Sequence, residues 1–237
     1  MSFVINNVSK SFADLEVLKN LTMQEEENRI ICILGPSGAG KTTLLNIISG
    51  VINADQGEIS GFTGRNISYL FQEHRLLPWK TVAQNIDFVL KDKLNREERL
   101  KAVSRYLDMV ELTAFSSYYP SKLSGGMKQR AAIARAFAYP AEILLMDEPF
   151  KGLDMQLKMT LMEAFIKLWT LDRRSVFFVT HDIQEALLIG EEIYVLTDRP
   201  AHVKGKVANL IPHAQRKDID SPALHQIEQE IYKLVTL

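Results

Sequence analysis

The chain predicts an α/β fold, a mainly parallel sheet core with an antiparallel β flank and an inserted helical subdomain, and three observations carry that prediction. The runs "RIICIL" (29 to 34), "ISYLF" (67 to 71), "EILLM" (142 to 146), "SVFFVT" (175 to 180) and "EIYVLT" (192 to 197) are nearly all apolar, as strands covered on both faces should be. Helical patterns at Lys41 to Ile48, Gln156 to Trp169 and Ile183 to Leu188 alternate with them, which calls for parallel strands joined by crossover helices. Between Gln72 and Tyr139 the strand signal disappears, so a helical segment is inserted between two core strands.

In chain order, the first sixty-odd residues differ from the core. There "SFVINNVSKSF", "LKNLTMQ" and "GEISGF" are short, polar-interrupted runs separated by turn residues, the pattern of an antiparallel flank. Within the insertion, "NREERLKAVSRYLDMVEL" offers Asn95 as an N-cap with Glu98 three residues on, then Leu100, Val103, Leu107 and Val110 at helical spacing. After the last core runs, Ser221-Pro222 opens an amphipathic helix with Leu224, Ile227, Ile231 and Leu234 on one stripe. The expected organisation is a single domain over 1–237, with core and β flank at about 1–72 and 140–237 and the helical subdomain at about 73–139. No internal repeat or low-complexity segment stands out.

With 237 residues the chain can bury a full α/β core. Charged residues make up 24 % and apolar ones 46 %, and Lys+Arg 28 against Asp+Glu 29 leaves a net charge of -1, so the composition carries no footprint of nucleic-acid binding. The single Cys32 lies in the apolar "IICIL", where it fills core space and fits a reducing, cytosolic compartment. "MSFVINNVSK" lacks the basic start and apolar core of a signal peptide, and no run approaches the roughly 18 apolar residues that span a bilayer. The expectation is a chain neither secreted nor itself membrane-spanning.

Gly35, Pro36, Ser37, Gly38, Ala39, Gly40, Lys41 and Thr42 match G-x-x-x-x-G-K-[ST], with a strand before and the apolar helix "TTLLNIIS", containing Thr43, after. This is the phosphate-binding loop of a P-loop NTPase. Its glycines let the backbone wrap the β- and γ-phosphates with inward N–H groups, and the helix N-terminus adds positive potential. Lys41 reaches the phosphates as a point charge, and the Thr42 hydroxyl is the expected Mg2+ ligand.

"ILLMDE" places Asp147 and Glu148 at the end of a buried strand, where α/β sheets present ligands. Adjacent acids repel unless something offsets them; a magnesium ion does so for Asp147 and leaves Glu148 to polarise an attacking water. His181 ends "SVFFVTH" and, beside two nucleotide motifs, is a candidate γ-phosphate sensor, although a lone histidine after a strand is more often structural. Gln72 follows "ISYLF" where core gives way to insertion, a position from which it can link the site to a partner.

With "LFQ", "LSGGMKQR" (123 to 130), "ILLMDEP", "GLD" and "VTHD" in order and at matching spacing, the sequence strongly resembles the nucleotide-binding subunit of ATP-binding cassette (ABC) transporters over nearly its whole length. The resemblance implies the ABC ATPase fold, hydrolysis of ATP with Mg2+, and a head-to-tail pair in which the Ser124-Gly125-Gly126 signature of one subunit binds the γ-phosphate held by the other's phosphate loop. One copy of each motif means that two such chains, most simply a homodimer, sandwich two ATPs. It further implies adenine stacking on Phe12, a role for Gln72 in the catalytic set and at the metal, and Asp154 in the loop connecting the two sites. On local evidence Phe12 suits the core equally well. Two positions depart from the common pattern: Met127 replaces a frequent Gln, and Lys151 in "DEPFKGLD" stands where a small residue is usual.

"RLLPWKTVAQN", with "DEPF" and "LTDRP", looks most like the branch importing nitrate, sulfonates, taurine and related compounds, including pyrimidine precursors of thiamine. That resemblance implies docking of transmembrane permease subunits beside residues 73 to 90, an extracytoplasmic solute-binding protein, and a location in the cytoplasm, peripheral on the inner face of the cell membrane. Competing readings are a cassette ATPase acting on chromosomes, DNA repair or ribosomes, and one that drives a membrane complex without moving a solute, as in lipoprotein extraction or cell division. The first group tends to have long heptad coiled coils, two cassettes or basic surfaces, none of which this sequence has.

Overall fold

A computed structural model describes residues 2–216 and 221–236. In chain order its strands and α-helices are β1 (Ser2–Phe12), β2 (Leu15–Glu26), β3 (Ile30–Leu34), α1 (Lys41–Ile48), β4 (Gln56–Ser60), β5 (Ile67–Leu70), α2 (Val82–Leu90), α3 (Arg96–Met109), α4 (Gly125–Ala138), β6 (Ile143–Asp147), α5 (Met155–Leu171), β7 (Ser175–Thr180), α6 (Ile183–Ile189), β8 (Glu192–Leu196), β9 (Val203–Ala208) and α7 (Pro222–Thr236). Contacts divide the chain into two units, Met1–Arg65 with Arg173–Leu237, and Asn66–Asp172. The helices α2, α3 and α4 all fall within the second.

In the first unit β3 runs parallel to β7, from Ile30↔Val176 to Leu34↔Thr180, and parallel to β8 from Ile31↔Glu192. Every residue of β3, β7 and β8 is buried, which is why their sequences are continuous rather than alternating. The antiparallel β9 closes this sheet beside β8; its "VKGKVA" buries only Val207 and Ala208 faces out, so no apolar run announces it. A second sheet, ordered β2-β1-β4, is antiparallel throughout and alternates buried with exposed residues. Phe3 of β1 stacks on Phe62 at 4.8 Å between ring centres and meets Phe177 of β7 edge-on at 5.4 Å, joining the two sheets through aromatic contact. Cys32 is fully buried in β3, and burial pushes its thiol pKa well up, as suits a space-filling cysteine. The stripe of α7 packs as its spacing predicts: Leu224 and Ile231 are buried, and Leu234 lies so close to Gly205 of β9 that a Cβ there would sit 2.6 Å from Leu234 Cδ2.

In the second unit β5 pairs in parallel with β6, Ile67↔Ile143 through Leu70↔Met146. β5 closes at Leu70, so Phe71 and Gln72 belong to the following loop. Capping boxes start two of the helices, Thr81 with Gln84 on α2 and Asn95 with Glu98 on α3, the latter as its sequence predicts. α4 is built of small residues, Ala131, Ala132, Ala134 and Ala136 all buried, and its Phe137 meets Phe165 of α5 at 5.6 Å. Among the described residues no helix is long and apolar enough to cross a membrane.

Candidate nucleotide site and family

In the first unit the phosphate loop leaves the C-terminal end of β3, the end at which parallel sheets present ligands. Gly35 N–H donates to Thr180 O of β7 at 3.2 Å, which ties the start of the loop to the neighbouring strand end. Gly38 (φ 84) and Gly40 (φ 97) occupy left-handed backbone that a Cβ disfavours; at Gly40 a Cβ would also fall 2.7 Å from Val17 Cγ1. The N-cap of α1 is therefore Gly40, with no side chain capping the first turn, which leaves those N–H groups to an anion. Lys41 is only 5 % exposed and its Nζ donates to the loop's own carbonyls, Gly35 O at 2.7 Å and Pro36 O at 2.8 Å, so its ammonium sits within the cradle. Ser37, Gly38 and Thr42 are exposed, while Ala39 is buried as the loop's anchor and Thr43 is half-buried.

His181, directly after β7, is exposed. Its neighbours fix the backbone: Asp182 caps α6 by accepting from the N–H groups of Gln184 and Glu185, and Thr180 Oγ1 donates to the buried Glu185 at 2.6 Å. His181, Gly35 and Pro36 line one cavity of about 610 Å³, so the fold brings the histidine to the mouth of the phosphate loop. Phe12 ends β1 46 % exposed, with Lys10 Nζ over its ring 5.5 Å from the centre; it is not a core residue. One residue that the motifs do not reveal is Arg199, whose guanidinium donates to Gly38 O; the only sequence signal is its place in "LTDRP".

The second unit holds the remaining candidates. Asp147 ends β6 and is 6 % exposed, Glu148 follows at 8 %, and Glu148 has φ 42, a left-handed conformation unusual for this side chain. Burial, and next the neighbouring Asp147, raise the pKa of the Tyr69 phenol. Lys151, the departure noted above, places its Nζ 2.6 Å from Glu148 Oε2. Gln72 is exposed two residues beyond β5.

Ser124 caps α4, accepting from Met127 N at 3.3 Å. The two signature glycines have different roles. Gly125 has open space where a Cβ would be, free for a ligand, whereas a Cβ on Gly126 would lie 2.5 Å from Leu157 Cδ2 of α5; Gly126 is needed for helix packing. Asp154 is an N-cap as well, accepting from Leu157 N at 3.0 Å. Thr42 in the first unit offers a hydroxyl oxygen, and Asp147 and Gln72 in the second offer a carboxylate and an amide oxygen, each of the type that a hard cation such as Mg2+ selects.

Comparison with known proteins bears on the family and the fold. The family model described as ABC transporter matches residues 18–151. An aliphatic sulfonates import ATP-binding protein, SsuB, of Bacillus cereus is 38 % identical over 93 % of this chain and 91 % of its own. A nitrate import ATP-binding protein, NrtD, of a Synechocystis species is 42 % identical over 82 % of this chain and 76 % of its own. Among solved structures, the dimeric post-hydrolysis state of the ATP-binding cassette MJ0796 bound to ADP and Pi superposes with a TM-score of 0.77 at 32 % identity, covering 89 % of this chain and 100 % of that one. The chain belongs to the ABC transporter family. It has the ABC ATPase fold and is an ATPase that uses ATP with Mg2+.

Proposed function

We propose that this chain is the ATP-hydrolysing subunit of an ABC importer for a small solute of the nitrate, sulfonate, taurine or pyrimidine type. In this reading the whole chain is one ABC ATP-binding domain. It works on the inner face of the cell membrane, paired head to tail with a second ATP-binding subunit and docked on permease subunits, with an extracytoplasmic solute-binding protein feeding the permease. The import names of its relatives support the direction of transport.

The roles follow from the chemistry of each residue. The loop from Gly35 to Thr43 holds the phosphates, Lys41 adds a positive charge to them, Phe12 stacks on adenine, and Glu148 polarises the attacking water. His181 senses the γ-phosphate. Ser124, Gly125 and Gly126 receive the phosphate of the partner's nucleotide, with Asp154 on the connecting loop. Mg2+, which Thr42, Asp147 and Gln72 would hold, supplies charge neutralisation on the phosphates.

One observation carries the step from ATPase to importer. The loop after Gln72 exposes Trp79 at 69 %, yet its backbone is rigidly tied: the buried Asn85 bonds Leu77 in both directions at 2.8 and 3.2 Å and also the carbonyls of Lys80 and Thr81, and Arg135 donates to the carbonyls of His74 and Arg75. An apolar tip on a built loop is a docking feature, since a loop free of duty would bury the indole or be mobile.

The test is to purify the tagged chain from gently solubilised native membranes and identify its companions. A multi-span permease is the expected companion; recovery of nucleic acid, ribosomes or only soluble partners would overturn transport and leave the ATPase standing. Candidate solutes are then titrated against the accompanying binding protein, and failure of all of them to bind would remove the solute class. In the same preparation, Glu148→Gln is expected to bind ATP and pair but lower turnover by about 10²-fold or more, and unchanged turnover would remove Glu148 from its role.

A further inference from the structure

We propose that Lys151 is a positioning residue that holds Glu148 in an ion pair in the resting chain and so restrains hydrolysis until the lysine leaves. The inference rests on the reading of Glu148 as the group that polarises the attacking water.

The segment from 148 to 154 leaves Glu148 little choice of position. Lys151 N–H donates to Glu148 O at 3.2 Å, closing a turn on the left-handed Glu148. The Pro149 carbonyl accepts from the buried Gln129 of α4, Phe150 is fully buried, and Leu153 N–H donates to Phe150 O at 3.4 Å. With the backbone so fixed, the remaining freedom lies in the side chains. Asp154, the other acid of this stretch, accepts from Leu157 N as the cap of α5. Asp147 is buried on the strand end. Glu148 is the carboxylate that Lys151 meets, at 2.6 Å.

The two partners are unequal. The Glu148 side chain is 9 % exposed and the Lys151 side chain 41 %. A nearly buried carboxylate is costly without a counter-ion, so the pair is the resting arrangement. To act on water, Glu148 must offer its full negative charge, and an ammonium 2.6 Å from its Oε2 offsets that charge. Lys151 has water on one side and a flexible four-carbon stem, so it is the member that can swing away. A small residue at 151 would carry no such restraint, which gives the departure at this position a chemical meaning.

The experiment measures steady-state Mg-ATP hydrolysis by the purified full chain as wild type, Lys151→Ala, Lys151→Gln and Lys151→Arg, each also combined with Glu148→Gln. Binding of a fluorescent ATP analogue and the melting temperature verify that each variant folds. Both neutral variants should raise kcat by about fivefold at unchanged KM, the scale of releasing a partly exposed pair, while Lys151→Arg keeps the wild-type rate. A merely structural lysine would not raise kcat on removal. If both neutral variants show unchanged or lower kcat, or if Lys151→Arg rises with them, while Glu148→Gln is inactive throughout, the inference is wrong and the role of Glu148 survives. Full turnover by Glu148→Gln alone overturns that role and the inference together.

Discussion

The guanidinium of Arg199 meets the carbonyl of Gly38 twice, through Nε at 3.0 Å and Nη2 at 2.6 Å. Gly38 is the middle of the phosphate loop, and a carbonyl held outward turns the adjoining N–H groups inward. Arg199→Ala is therefore expected to raise KM for ATP by roughly fivefold, about 1 kcal/mol for an exposed charged contact, with a smaller change in kcat. Steady-state kinetics beside an equilibrium nucleotide titration decide it; a variant with wild-type affinity would show that the loop keeps its shape unaided.

Gly126 and Gly125 differ in their surroundings, Leu157 at the first and open space at the second. Gly126→Ala pushes a methyl group into Leu157 and should cost about 1–3 kcal/mol of stability, partly restored in a Gly126→Ala, Leu157→Ala double variant. Gly125→Ala meets open space and should leave the denaturant midpoint of the lone chain near wild type. Chemical denaturation of the four proteins is sufficient, and equal destabilisation by the two single changes would contradict the packing assignment.

Asn85 makes four hydrogen bonds to the loop that carries Trp79 and to the Thr81 cap that follows it. Asn85→Ala orphans half-buried backbone groups and is expected to lower stability by about 1–3 kcal/mol, whereas Trp79→Ala, at a side chain already in water, should change it by under about 0.5 kcal/mol. Both should lose the permease in the membrane pull-down, the first through loop shape and the second through the contact itself. Undiminished recovery with Trp79→Ala would move the docking surface elsewhere.

His213 supplies a pH signature. Burial, with the neighbouring Arg216 charge second, lowers its pKa from 6.5 to about 4, and its Nε2 lies 2.8 Å from Ile189 O at the end of α6. The folded state thus keeps the ring neutral where the unfolded chain takes up a proton. Stability from this group is complete above about pH 6.5 and falls as pH drops from there to about 4, because the unfolded state binds more protons over that interval. After discounting for the ring's partial solvent contact, the loss should be about 1–2 kcal/mol, and it should be absent from His213→Gln. Urea unfolding of the two proteins between pH 4 and 7.5 reads the difference; parallel curves would refute it.

Legibility followed burial. The strands "IICIL", "SVFFVT" and "EIYVL" are legible because a strand covered on both faces is apolar throughout, and β9 is not, because an edge strand with lysines and a glycine carries no such run. The phosphate loop is legible because its residues are contiguous and each is demanded by the backbone shape. Arg199 is not, since it lies 161 residues from the carbonyl it holds. Phe12 could be core or surface on local grounds, and its exposure at the end of β1, opposite the exposed Leu15, places it on the surface.

By itself the sequence determined the fold class, the ATP-binding loop, the acidic strand end and the family, because those features are written as short contiguous patterns that local geometry requires. Tertiary structure alone decided that Gly126 serves a helix contact, that Arg216 threads a buried guanidinium among the carbonyls of Leu187, Gly190 and Asn209, and that Lys151 rests on Glu148. Such pairings depend on where side chains end after the backbone has turned. No spacing in the chain records that outcome, since the free energy of a charged or packed contact depends on the burial around it as much as on the residues that form it.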